Sequence, residues 1–265
     1  MKQRADVALV SRGLADSREK AQAYILAGRA YVGERKIAKA SETVLPEDDL
    51  ILRGEDAGWA SRGAHKLEKA LQHFHATVHG LVAMDIGAAS GGFTDVLLRA
   101  GARHVYAIDV GYGQLDWRLR QDARVTVMER TNARALTPEM FPEQPELTVM
   151  DVSFISIKLI IPAAIAVMGE GGRFLTLIKP QFEAGRGQVG KHGVVREAAT
   201  HEAVLKDIRD FVLGLGWQVQ GFTWSPIKGP KGNIEFLADI SQGTDSAITD
   251  DAIHEIVLEA HRELH

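Results

Sequence analysis

From residue 81 onward the chain alternates between short apolar runs and stretches where apolar residues return at helical spacing. The run at 81–84 leads into Asp85 and a glycine-rich turn, and residues 93–100 then read as a helix. Further runs at 104–110, 125–129, 147–152 and 173–178 read as strands, being short, apolar and bounded by turn signals. Residues 157–168 predict a helix apolar nearly all round, hence buried, and 198–215 a longer one. A strand at 217–224, a turn at 226–232 and a strand at 233–240 predict a closing antiparallel pair. Ile253, Ile256, Val257, Ala260 and Leu264 mark one face of a terminal helix. Strands alternating with helices imply an α/β fold with a mostly parallel sheet covered on both faces.

The first part of the chain has another texture. Residues 7–10 predict a short helix ended by Gly13. Asp16 or Ser17 is placed to cap a second helix, with Ala21, Tyr24 and Ile25 at helical spacing and Gly28 just past its end. A hairpin at 30–37 and a strand at 47–52 follow. That is a small α+β unit with a marginal core of its own. The expected organisation is a small domain at 1–54, a polar linker at 55–62 and a large domain at 63–265.

Charge reinforces this division. Residues 2–39 carry nine basic and four acidic side chains, a local +5 within a chain of net charge −4. Such asymmetry fits a polyanion partner or a solvated charged face. With no cysteine, the chain has no disulfide, thiolate metal site or cysteine nucleophile. The apolar run after Met-Lys-Gln-Arg is too short for a signal segment, and no stretch approaches the roughly 20 apolar residues of a membrane span. A cytoplasmic protein without a membrane or metal partner is expected.

The candidate chemistry gathers at strand ends. The turn reads Asp85-Ile-Gly87-Ala-Ala-Ser90-Gly91-Gly92-Phe93, a D-x-G-x-x-x-G-G spacing unlike the pyrophosphate-binding G-x-G-x-x-G. A carboxylate beside a glycine turn and a helix start suits a cationic, phosphate-free ligand, and S-adenosylmethionine fits that description. Asp109 follows Asp85 at about the spacing that serves a ribose diol. Asp85, Asp109, Asp151 and Lys179 all close predicted parallel strands, so they share the rim where open sheets bind ligands. Glu235, near the start of a reversed last strand, reaches the same rim. A lysine set against an apolar strand end, as Lys179 is, suits proton transfer with a weakly acidic hydroxyl. Lys66 is either a neighbouring cation or a solvated helix lysine.

Two resemblances sharpen the reading. The pattern Arg4…Leu9-Val…Gly13-Leu-Ala…Ser17-Arg18…Gly28…Val32 resembles the small RNA-binding module named after the S-four ribosomal protein, which implies phosphate contacts for Arg4, Arg18 and Lys20. Ser61-Arg62-Gly-Ala-His-Lys66, Asp151-Val-Ser-Phe-Ile-Ser156, Leu177-Ile-Lys179-Pro-Gln-Phe-Glu183 and Gly232-Asn-Ile-Glu235 look like four motifs of the TlyA family. Its members join that module to an FtsJ-like methyltransferase domain and methylate cytidine 2′-oxygens of ribosomal RNA. The resemblance implies a Rossmann-like class I S-adenosylmethionine-dependent methyltransferase sheet and a catalytic tetrad of Lys66, Asp151, Lys179 and Glu235. It also implies cofactor contacts for Gly87, Ser90, Gly91, Gly92, Phe93 and Asp109, with Asn132 on the adenine side. Gly58-Trp59-Ala60 departs from the family's usual tryptophan tetrapeptide. The glycine-rich segment 183–196, with Arg186 and Lys191, reads as a flexible solvated loop or, with Arg62, Lys228 and Lys231, as a basic rim around the RNA. The family's other name, hemolysin, implies a membrane-active alternative, and a catalytically silent RNA-binding protein is another.

Overall fold

The computed structural model describes residues 2–15, 17–26, 28–33, 35–52, 58–242 and 248–264. It divides into two units, Met1–Gly58 and Trp59–His265. In the first, β1 (Gln3–Arg4) leads into α1 (Ala5–Ser11) and α2 (Arg18–Leu26). Then come β2 (Ala30–Val32), β3 (Arg35–Lys36), β4 (Thr43–Val44) and β5 (Leu50–Leu52). β2 pairs antiparallel with β3, as the hairpin reading expects, and with β5. The pairing of β1 with β4 was not legible, because two-residue strands carry no hydrophobic period. Ser17 Oγ accepts the Lys20 N–H at 3.2 Å at the start of α2; the rival cap, Asp16, lies outside the described residues, as do residues 55–57 of the expected linker. The strand expected from 47 starts only at Leu50, since Asp48 turns back to accept Leu45 N–H at 2.8 Å. Leu9, Ile25, Ile37, Val44 and Leu50 centre the core of this unit.

The second unit opens with α3 (Ala64–His73), β6 (Val82–Ile86), α4 (Gly92–Arg99), β7 (His104–Ile108), α5 (Trp117–Arg120) and β8 (Val125–Met128). It continues through β9 (Leu147–Met150), α6 (Ile161–Val167), β10 (Arg173–Ile178) and α7 (Pro180–Glu183). The last elements are α8 (Ala198–Gly214), β11 (Gln218–Trp224), β12 (Phe236–Ser241) and α9 (Asp250–Glu263). The sheet runs β11-β12-β10-β9-β6-β7-β8, with β12 antiparallel to both neighbours and the remaining pairs parallel. Alternate residues of one strand feed different cores. Met84 and Ile86 join Tyr106, Ile108, Phe174 and Ile178 on one face, whereas Ala83 joins Val105, Leu175 and Leu177 on the other. Helices cover both faces, so the strands read as continuous apolar runs.

Two expectations need correction. The helix over 157–168 breaks into a 3-10 turn (Ile157–Leu159) and α6, because Pro162 lacks an N–H and sets a new start. It is not buried all round: Leu159 is 56% exposed. The strand expected from Asn233 begins at Phe236, because Gly229 N–H bonds the Asn233 carbonyl at 2.9 Å and keeps the chain in a turn. Glu235 therefore stands just ahead of β12, on the rim where the parallel strands end.

Candidate active site

The glycine turn after β6 lets backbone approach where a side chain could not. Gly87 has φ +84, and a Cβ there would lie 2.6 Å from the Asp151 carbonyl oxygen. Gly91 has φ +94, and a Cβ there would meet Leu119 Cδ1 at 2.3 Å. Over this turn lies a cavity of about 440 Å³. Gly87, Ser90, Gly92 and Phe93 of the turn line it together with Lys66, Asp151, Lys179 and Glu235, and Ser61, Arg62, Ser153 and Pro230 line it as well.

The four ionisable groups form a connected, charge-balanced cluster. Lys66 Nζ donates to Glu235 Oε2 at 2.8 Å and to Asp151 Oδ2 at 3.3 Å. Lys179 Nζ ion-pairs with Asp151 Oδ1 at 2.5 Å, without hydrogen-bond geometry at that oxygen, and donates to Ser153 Oγ at 2.8 Å. Lys66, Lys179 and Glu235 are all under a tenth exposed. Charges so buried are tolerable only with partners at this range. Asp151 is the bridge, each of its oxygens facing a different ammonium.

Other expected cofactor-side residues stand back from the cavity. Asp85 is sealed beneath the turn with no solvent exposure. Its Oδ2 accepts the Thr94 hydroxyl at 2.6 Å, and burial pushes its pKa up to about 7. It is thus no anionic wall for a cationic ligand, because the turn it precedes folds over it. Asp109 uses its carboxylate to join two loops, accepting Ala89 N–H at 2.9 Å and Gly111 N–H at 2.7 Å. Asn132 caps the 3-10 turn Ala133–Ala135 through Arg134 N–H at 3.1 Å. Gly91 faces Leu115 and Leu119.

The basic candidates fall into two sets. In the first unit the buried Asp6 accepts from Arg4 Nε and Arg18 Nη2, both at 3.0 Å, and from Gln22 Nε2 at 2.9 Å. The Arg4 hydrogen bond, assisted by Gln22 and Arg18, holds the Asp6 carboxyl well below the usual range. Both guanidiniums remain about half exposed, so Asp6 orients their forks without covering them. Lys20 Nζ lies 6.0 Å from the Tyr24 ring centroid. In the second unit Arg62 Nη2 donates to the Lys228 carbonyl at 3.3 Å, tying the start of α3 to the turn that carries Lys228 and Lys231. Arg186 and Lys191 fall in the 3-10 turns Arg186–Gln188 and Lys191–Gly193. Among the described residues no cluster of three or more His, Cys, Asp or Glu could hold a metal ion.

Sequence reasoning missed Ser153, which serves Lys179, and Phe154. Phe154 has φ +65, is 89% exposed and sets its ring 5.2 Å from that of Phe182. A large apolar side chain beside Asp151 was a visible signal; its outward direction depends on a backbone angle that no periodicity reports.

A profile described as FtsJ-like methyltransferase matches residues 59–240, and an S4 domain profile matches residues 3–50. The chain belongs to the FtsJ-like methyltransferase family. This FtsJ-like chain is 42% identical over 261 residues to the 16S/23S rRNA (cytidine-2'-O)-methyltransferase TlyA of Mycobacterium tuberculosis, across 97% of each protein. It is 42% identical over 236 residues to Hemolysin A of Brachyspira hyodysenteriae, covering 89% of this chain and 98% of that one. Among solved structures, a hemolysin-named protein from Streptococcus thermophilus superimposes with a TM-score of 0.80 at 44% identity, covering 99% of this chain and 96% of that one. The resemblance to the TlyA family and the α/β methyltransferase fold with an N-terminal S4 domain are both borne out. No described helix of this FtsJ-like chain is long and apolar enough to cross a membrane.

Proposed function

We propose that this chain transfers a methyl group from S-adenosylmethionine to the ribose 2′-oxygen of a cytidine in ribosomal RNA. The observation that carries this reading is the Lys66–Asp151–Lys179–Glu235 cluster at the side of a cavity walled by glycine backbone. The cavity fits the cofactor in its lining: the turn at Gly87, Ser90 and Gly92 and the carboxylates of Asp151 and Glu235 border one space. Gly87, Ser90, Gly92 and Phe93, which line the cavity, would hold the methionyl part; Gly91 shapes the turn, and Asp109 and Asn132, set back from the cavity, would serve the ribose and adenine only where the cofactor extends beyond it. When bound, the cofactor supplies an electrophilic methyl on a sulfonium. Asp85 supports the turn from below.

The remaining steps belong to the chain. Lys179 Nζ, fixed by Asp151 and Ser153, faces the 2′-hydroxyl and, as the neutral amine, accepts the proton that the oxygen gives up as it takes the methyl. Lys66, held by Glu235, restrains the other Asp151 oxygen. Alignment of the oxygen with the methyl then supplies much of the acceleration. Arg4, Arg18 and Lys20 take phosphates on the S4 domain. Arg62, Arg186, Lys191, Lys228 and Lys231 border the target nucleotide, and the exposed Phe154 ring offers a stacking face for an extruded base.

The deciding experiment maps ribose methylation on both ribosomal RNAs after incubation with purified protein and S-adenosylmethionine. Lys179→Ala should keep cofactor affinity in calorimetry while methyl transfer falls about 10²–10⁴-fold. Transfer at the wild-type rate would remove Lys179 from the reaction. Lysis of red cells without S-adenosylmethionine would instead favour the membrane-active reading that hemolysin-named relatives suggest.

A further inference from the structure

Two basic segments are joined just ahead of Glu235, and one of them carries Pro230, which like Glu235 lines the cavity. One runs from 184 to 197 and carries Arg186, Lys191, His192 and Arg196; the other is the 226–232 turn with Lys228 and Lys231. A single side chain joins them. Asn233, 2% exposed, accepts Val195 N–H through Oδ1 at 2.9 Å and donates from Nδ2 to the Gly193 carbonyl at 2.9 Å. Its own carbonyl accepts Gly229 N–H at 2.9 Å. One carboxamide thus holds the first segment while its backbone holds the second.

The segment that Asn233 grips needs outside support. His192 and Gly193 are both left-handed, with φ +70 and +77, and a non-glycine residue holds that conformation only where its surroundings enforce it. Lys231 Nζ stands beside the same glycine, 3.7 Å from where a Cβ would be. Glu235, two residues beyond Asn233, holds Lys66, and Gly229 packs so closely that a Cβ there would lie 2.6 Å from Glu235 Oε1. A planar group with one acceptor and one donor suits both bonds; a carboxylate has no donor and an aliphatic side chain has neither.

Building on the methyltransfer reading, we propose that Asn233 is a positioning residue for the RNA substrate. It locks 190–195 against the 226–232 turn, so that the two basic segments form one rim around the target nucleotide. Asn233→Asp replaces the donor facing Gly193 O with a second acceptor and releases the segment. Asn233→Ala removes both bonds without repulsion. Both should raise KM for ribosomal RNA about tenfold or more, with the effect on KM exceeding that on kcat. S-adenosylmethionine affinity should stay near wild type, while the melting transition falls modestly with the two lost hydrogen bonds. Trypsin should cut faster after Arg186, Lys191 and Arg196.

An unchanged KM in both variants would overturn the assignment. So would a fall in kcat alone, which would place Asn233 at the chemistry, or loss of cofactor binding in both variants, which would make it an ordinary core residue. If wild-type protein methylates no ribosomal RNA, the parent reading fails instead. The trypsin comparison needs no substrate and still decides whether Asn233 holds the segment.

Discussion

Asp85 ends β6 out of contact with solvent, one oxygen on the Thr94 hydroxyl and the other without a hydrogen bond among the described residues. Burial is the main cause of its raised pKa; the Thr94 bond opposes it, and the nearby Asp151 and Asp109 charges add to it. The sign of the consequence follows from proton counting. Unfolded, this carboxyl titrates near pH 4; folded, at about 7. Between those values the folded chain holds a proton that the unfolded chain has released, so stability falls as pH rises through the window and levels off above it. The full span is of the order of 4 kcal/mol. Asp85→Asn keeps an acceptor for Thr94 and cannot ionise. Its melting temperature should therefore gain on wild type between about pH 5 and about pH 8. A gap that is the same at both values would show that Asp85 does not titrate in this range.

The loops after β9 and β10 act together, and one carboxylate couples them. Glu183, at the end of α7, accepts the Ser156 hydroxyl at 2.6 Å and Ile157 N–H at 2.9 Å. Phe154 meets Phe182 across the same junction. The loop that presents Asp151 and Ser153 is thus tied to the segment that begins at Lys179. Burial raises the Glu183 pKa, so these donors matter to keeping it charged. Glu183→Ala should cost about 2–4 kcal/mol in urea unfolding. It should also slow methyl transfer at saturating substrate while cofactor affinity holds. A variant as stable and as fast as wild type would show that the two loops are placed independently. At this scale the sequence was legible where pattern is local. Apolar runs gave the parallel strands, and the strand-end positions of Asp151, Lys179 and Glu235 gave one rim. Folding back of the chain was not legible. Asp85 lost its exposure to the turn that closes over it, α6 was cut short by Pro162, and Asn233 left its predicted strand to hold a distant loop. Each outcome depends on contacts between segments that periodicity cannot register.

Across the whole molecule the charge asymmetry along the chain coincides with a division of the core. The cluster around Leu9 draws only on residues between 5 and 52, and the sheet clusters only on residues from 59 onward. A core that small leaves little reserve, since a domain of about 60 residues buries only some 60% of the surface its unfolded chain exposes. Leu9 is fully buried within it. Leu9→Ala should remove about 2–5 kcal/mol, comparable to the whole stability expected of such a unit. The S4 domain should then unfold while the glycine-walled cavity and its tetrad persist. With Arg4, Arg18 and Lys20 no longer presented together, affinity for ribosomal RNA should drop and its dependence on salt should flatten, because fewer phosphates are neutralised. Cofactor affinity should remain at the wild-type value. The measurements are RNA binding at several salt concentrations beside calorimetry with S-adenosylmethionine. If Leu9→Ala abolishes cofactor binding together with RNA binding, the two cores are energetically one; if it leaves the salt dependence untouched, the RNA is held by the methyltransferase domain instead.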